Sequence, residues 1–153
     1  MRALIWLGLA VFPAVSFAAV DTVAVLIFQE EGRPLPQALE NQEKVGRLAV
    51  EMLTSATYEA GPAVAEQGWL EARRWPHLYV AFTPPRSVRF RFSTTGPAVE
   101  QEVQVAEIIM RIVGEWPDYI LVRERDTSRA FSKYGPREAQ ALRDALRIGA
   151  TTR

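Results

Sequence analysis

Cysteine is absent from this 153-residue chain. That absence excludes disulfide scaffolding, thiolate catalysis, zinc–thiolate sites and lipid anchoring through a cysteine. Histidine occurs once, at His77, so a metal centre built on imidazoles is excluded as well. Lysine is almost missing: Lys44 and Lys133 are the only two among 18 basic residues, and the rest are arginine. An equal count of 18 acidic residues brings the formal net charge to zero, so no global field draws the chain to nucleic acid or to an acidic membrane surface. No carboxylate run has the spacing of a calcium loop, and no Gly-x-Ser-x-Gly elbow accompanies Ser93 or Ser132. After the first apolar run, Glu30-Glu31-Gly32-Arg33-Pro34 lacks the phosphate-loop pattern. The sequence therefore predicts no cofactor, no metal and no assigned catalytic residue.

What is present begins with an export signal. Arg2 supplies a positive n-region, Ala3 to Val15 an apolar h-region, and Ser16-Phe17-Ala18 a small-x-small cleavage site. Residues 1–18 read as a signal peptide cut after Ala18, leaving residues 19–153 as a single domain. The apolar run is too short to span a bilayer comfortably. Export without disulfides suits a bacterial periplasm or the medium. Another envelope protein is then the expected partner, with no nucleic acid and no stable membrane span after cleavage. Oligomeric state is not legible in the sequence.

Hydrophobic periodicity gives the elements. Val23 to Phe28 is a continuous apolar run between Asp21 and Glu30, which predicts a central strand buried on both faces. A helix is expected from Pro36 to Thr57, with Val45, Leu48, Ala49, Met52, Leu53 and Ala56 as its buried stripe. Residues 57–74 are irregular; they read as a loop plugged by Trp69, with a short helix near Ala63–Gln67 or Trp69–Arg74. Leu78–Phe82 and Val88–Phe92 predict a hairpin turning at Pro84-Pro85. Over Pro97–Val113, Glu100, Gln104, Glu107 and Arg111 fall at helical spacing opposite Val99, Val103, Ala106, Ile109, Met110 and Val113, which predicts a second helix. Tyr119–Arg125 and Arg129–Tyr134 predict another hairpin. A last helix is expected from Pro136 to Ile148, with Ala139, Leu142, Ala145 and Leu146 as its apolar stripe.

Trp75-Pro76 and Trp116-Pro117 open two stretches that share Phe-Ser, Gly-Pro and Arg-Ile in the same order. They suggest an internal repeat over 75–114 and 116–149. The fold class that follows is α+β: a ferredoxin-like βαββαβ core, an antiparallel sheet with helices on one face, extended by a C-terminal strand and helix. The alternative is two ββα units in pseudo-repeat.

Charge is unevenly placed. From Ala19 to His77 five basic residues face nine acidic ones; from Leu78 onward twelve face nine. Arg86, Arg89 and Arg91 gather on the first expected hairpin, and Arg123, Arg125, Arg129 and Lys133 on the second. Arg86, Arg89, Arg91 and Arg123 are the candidate binding residues, because guanidinium forks suit carboxylate and phosphate groups. The expected function is a small exported non-catalytic protein-interaction module: an adaptor, inhibitor or assembly factor, bound through an open sheet face or an edge strand. Two alternatives remain: a small hydrolase around His77, Ser93 and the 57–74 loop, and a binder of anions or glycan fragments using the hairpin arginines.

Overall fold

Branched and aromatic residues dominate residues 77–132, and in a computed structural model of the chain they build most of one six-stranded sheet. The structure describes residues 22–28, 41–72, 74, 76–111 and 119–148. The elements run β1 (Thr22–Phe28), α1 (Gln42–Thr54), β2 (Tyr58–Ala60), α2 (Pro62–Ala72), β3 (His77–Phe92), β4 (Val99–Arg111), β5 (Ile120–Arg123), β6 (Ser128–Ser132) and α3 (Pro136–Ile148). Strand order is β1-β3-β4-β5-β6-β2, and each neighbouring pair is antiparallel. The α+β class is as expected, but the order is not the expected ferredoxin-like one. It places β1 and β2 at opposite ends of the sheet, and the second predicted helix is a strand.

Two layers of side chains hold the sheet. On one face α1 and α3 pack with Val25, Leu78, Val80, Phe82, Phe90, Phe92, Ile108, Met110, Ile120, Val122 and Phe131. The stripe expected of α1 is buried in full, from Val45 to Ala56. Helix α1 runs from Gln42, preceded by Asn41 in non-helical geometry at φ −136°, ψ 53°; the expected start at Pro36 lies outside the described residues. Its close approach to the sheet requires Gly46, where a Cβ would stand 2.6 Å from Val23 Cγ1. The Ser55 hydroxyl ties the helices together, accepting from the Gly135 N–H at 2.8 Å and donating to the Met52 carbonyl. On the opposite face α2 lays Ala65, Trp69 and Ala72 over Ile109, Leu121 and Ala130. Trp69 is thus the expected plug, carried by a continuous helix where a loop or a shorter helix was predicted. Strand β2, just before it, was not anticipated.

The expected first hairpin is one strand. Residues 77–92 run through Pro84-Pro85 without reversing; the Thr83–Pro84 bond is cis, and the β3–β4 register shifts between Ala81 and Arg86. The prolines lack ladder donors, and the strand accommodates them at this irregularity. Pro97–Val113 is not a helix: Val99–Arg111 is β4, paired with β3 from Phe92↔Val99 to His77↔Arg111. The first unit is therefore not ββα, and the two halves fold differently. The second half does form the expected hairpin and helix, as β5, β6 and α3. Trp75 and Trp116, which open the two halves, lie outside the described residues, as does the expected signal peptide.

The sheet curls back on itself. Ser93, just past the end of β3, donates its N–H to the Thr57 carbonyl at 3.0 Å and accepts the Glu59 N–H at 2.9 Å. A parallel bridge thus joins Ser93 to Tyr58 on β2, the strand at the far end of the order. This seam closes β3, β4, β5, β6 and β2 into a ring and leaves β1 outside it.

Candidate functional site

The edge of β1 is the least protected part of the described fold. Its sequence, Thr-Val-Ala-Val-Leu-Ile-Phe, carries no charge and no proline. Its register with β3 is unbroken from Thr22↔Thr83 to Phe28↔His77, so no bulge turns the edge away. Natural sheets blunt their edges with those devices. Among the described residues β1 pairs on one side only. The strand was expected to be central and buried on both faces. Val25 is buried, yet Ala24 is exposed and Leu26 is 42% exposed. The apolar run is real; the cover for its second face and outer edge is not among the described residues.

One side chain reaches that edge. Gln42, the first residue of α1, accepts a hydrogen bond at Oε1 from the Val25 N–H, 3.2 Å away. In an antiparallel ladder alternate residues turn both backbone groups toward the partner strand or away from it. The Val25 groups therefore point outward, and Gln42 occupies one donor of an edge that is otherwise open among the described residues.

The four candidate arginines are dispersed. Arg89 and Arg91 share the exposed face of β3, opposite Glu102 and Glu100 on β4. Arg89 donates to Glu102 at 2.9 Å, and Arg91 Nε donates to the Ala98 carbonyl at 2.9 Å. That face is a ladder of mixed sign. The Ser87 hydroxyl and Arg89 hold the Glu102 carboxyl below its usual range, and Glu102 in turn raises Arg89. Arg86 sits in register with buried Val105, on the other face, with its guanidinium 4.9 Å from the Phe82 ring centre. Arg123 lies on β5, 4.0 Å over the Trp69 ring of α2 and 3.8 Å from Glu107.

Sequence reasoning missed the most enclosed charge cluster. Arg129 on β6 makes a bidentate pair with Glu59 on β2, at 2.6 and 2.8 Å, and a third bond to Glu124 at 3.0 Å. Its guanidinium lies 5.2 Å from the ring centres of both Phe92 and Phe131. Burial works against the Arg129 charge, but the hydrogen bonds it donates to Glu59 and Glu124 outweigh it and hold the group above its ordinary value. Arg129 was visible as one of the second-hairpin cations. Its partner Glu59 was hidden in a stretch where no strand was expected.

His77 and Ser93 are not brought together. His77 is buried at the start of β3, and Ser93 follows its far end. Among the described residues no three His, Asp or Glu side chains gather as a metal ion would need, and no helix is long and apolar enough to cross a membrane. No family model, curated protein or solved structure matches this chain.

Proposed function

We propose that the protein is an exported, non-catalytic interaction module of the bacterial envelope, and that its binding surface is the outer edge of β1. The observation that carries this reading is the uncharged, proline-free, bulge-free strand with Ala24 and Leu26 exposed beside it. A partner would add an extended strand to that edge. Backbone hydrogen bonds would give affinity, and Leu26 and its neighbours would give side-chain selectivity. The separation of His77 from Ser93 supports a role without hydrolysis. The pairing of Arg89 with Glu102 and of Arg123 with Glu107 leaves less for an anion or glycan fragment than the sequence suggested.

Export carries its own test. Amino-terminal sequencing of the protein recovered from the envelope is expected to begin at Ala19; an intact Met1 in the cytoplasm would refute export. The interaction is tested by affinity capture of the exported protein after brief crosslinking in cells, with mass spectrometric identification of what is captured. One dominant envelope partner, lost in an Ala24→Lys/Leu26→Lys variant, is the expected result. Capture that the variant leaves unchanged would move the surface away from β1.

A further inference from the structure

We infer that, in the absence of another strand, the edge of β1 pairs with β1 of a second copy of this chain, antiparallel about a twofold axis at Val25. This inference rests on reading β1 as a strand acceptor. The Val25 backbone groups point outward, since its N–H reaches Gln42. The two-residue period then turns Val23 and Ile27 outward as well. A twofold through Val25 sets Val25 against its own copy and Val23 against Ile27, so every outward residue meets an outward residue. Each such pair exchanges two backbone hydrogen bonds.

The side chains agree with that register. Ala24 falls opposite Leu26 of the copy, on the face that α2 leaves open at β1, so a small exposed residue meets a large exposed one twice. No residue from Thr22 to Phe28 is charged, so no like-charge pair opposes the contact. The far end of the sheet offers nothing comparable. Strand β2 is three residues long, and the Thr57 carbonyl and Glu59 N–H beside its outer edge are already bonded to Ser93.

Two features limit the affinity. A seven-residue edge buries less than the roughly 1,200 Å² at the lower bound of a standard interface. Gln42 must also release the Val25 N–H before the central pair can form. The dimer therefore exchanges with monomer at micromolar concentrations, and a partner strand of better fit displaces the copy.

Sedimentation velocity on the exported, processed protein tests this over a concentration series. The expected result is a reversible monomer–dimer equilibrium. Ala24→Lys/Leu26→Lys sets lysine against lysine across the axis, and Ala24→Glu/Leu26→Glu sets glutamate against glutamate; each variant should be monomeric with an unchanged circular dichroism spectrum. Mixing the two variants should restore a dimer that weakens in salt. Gln42→Leu, which keeps the volume and removes the acceptor, should tighten the dimer roughly 25-fold, since each of the two copies loses one competing hydrogen bond worth about fivefold. A wild-type protein that stays monomeric at every concentration overturns the inference. So does a lysine variant that dimerises like wild type, or a mixture that does not associate. A monomer that still captures an envelope protein through β1 in cells overturns the dimer and leaves the proposed function standing. A dimer that captures no partner does the reverse.

Discussion

Arg129 and Glu59 clasp each other across the β6–β2 pair, with Arg129 Nε 2.6 Å from one carboxylate oxygen and Nη2 2.8 Å from the other. Glu59 also donates its N–H to Ser93, so the same residue holds the seam that closes the sheet. The ion pair, the Phe92 and Phe131 rings beneath it and the seam are one structural unit. Arg129→Met keeps the aliphatic contact but strands two carboxylates, and Glu59 is only 13% exposed at its side chain. A loss of about 2–4 kcal/mol in urea unfolding is expected, because removing one partner leaves an uncompensated enclosed charge. The double variant Arg129→Met/Glu59→Gln should recover part of that loss. Equal instability of Arg129→Met and the double variant would show that the stranded Glu59 carboxylate is not the source of the loss.

Gly46 makes the second prediction. A Cβ there would sit 2.6 Å from Val23 Cγ1, in the contact that seats α1 on β1. Gly46→Ala gains helix propensity yet should destabilise the fold by about 1–3 kcal/mol through overpacking. Val23→Ala in the same chain makes room and should reverse most of the loss. Thermal denaturation of the two single variants and the double variant decides it; additive losses would place the strain elsewhere.

The third prediction concerns pH. Ser87 first, and then Arg89, lower the Glu102 carboxyl in the folded chain. A depressed carboxyl contributes stability above its unfolded value, and that contribution disappears as pH falls through the folded value. Glu102→Gln should therefore be less stable than wild type at pH 7, with the difference closing below the ordinary carboxylate range of about 4.3. Because the group is exposed, the gap should be small and should shrink in salt. Melting curves at neutral and acid pH, with and without added salt, are the check; a gap that widens in acid would contradict it.

The fourth concerns Arg123, stacked on Trp69 and paired with Glu107. Arg123→Gln should cost about 0.5–1 kcal/mol, the scale of a partly exposed cation–π contact. Trp69→Phe removes an indole N–H that has no hydrogen-bond partner among the described residues, so its cost reflects lost packing and weaker stacking rather than a lost hydrogen bond. If Arg123→Gln costs as much in a Trp69→Leu background as in wild type, the stacking contributes nothing.

The parts of the fold that were legible in the sequence are those with one unbroken period. Helices α1 and α3 each keep a single apolar stripe, and β5 and β6 are short strands on either side of a tight turn. Strand β4 was illegible because its alternation slips. Val103 and Val105 share a core face with Ile108 and Met110, while Ile109 faces α2. The phase changes between Val105 and Ile108, and that slip spaces Val99, Val103, Ala106 and Met110 like a helix. Strand β3 was misread because prolines at a bulge look like prolines at a turn. Cross-strand partners such as Glu102 for Arg89, or Glu59 for Arg129, depend on registers that no local pattern contains. The cationic residues were visible in the sequence; their neutralisation was not.

The run at β1 is the informative case. Its residues are apolar at both parities, which predicts cover on both faces, and the described fold covers one. The proposed function attributes the missing cover to a bound strand. The most direct measurement places a photo-crosslinking amino acid at Leu26, and in a second protein at Arg89, and irradiates living cells. The account predicts protein adducts from position 26, with weak or no adducts from position 89. Adducts from position 89 alone, with none from position 26, would contradict it.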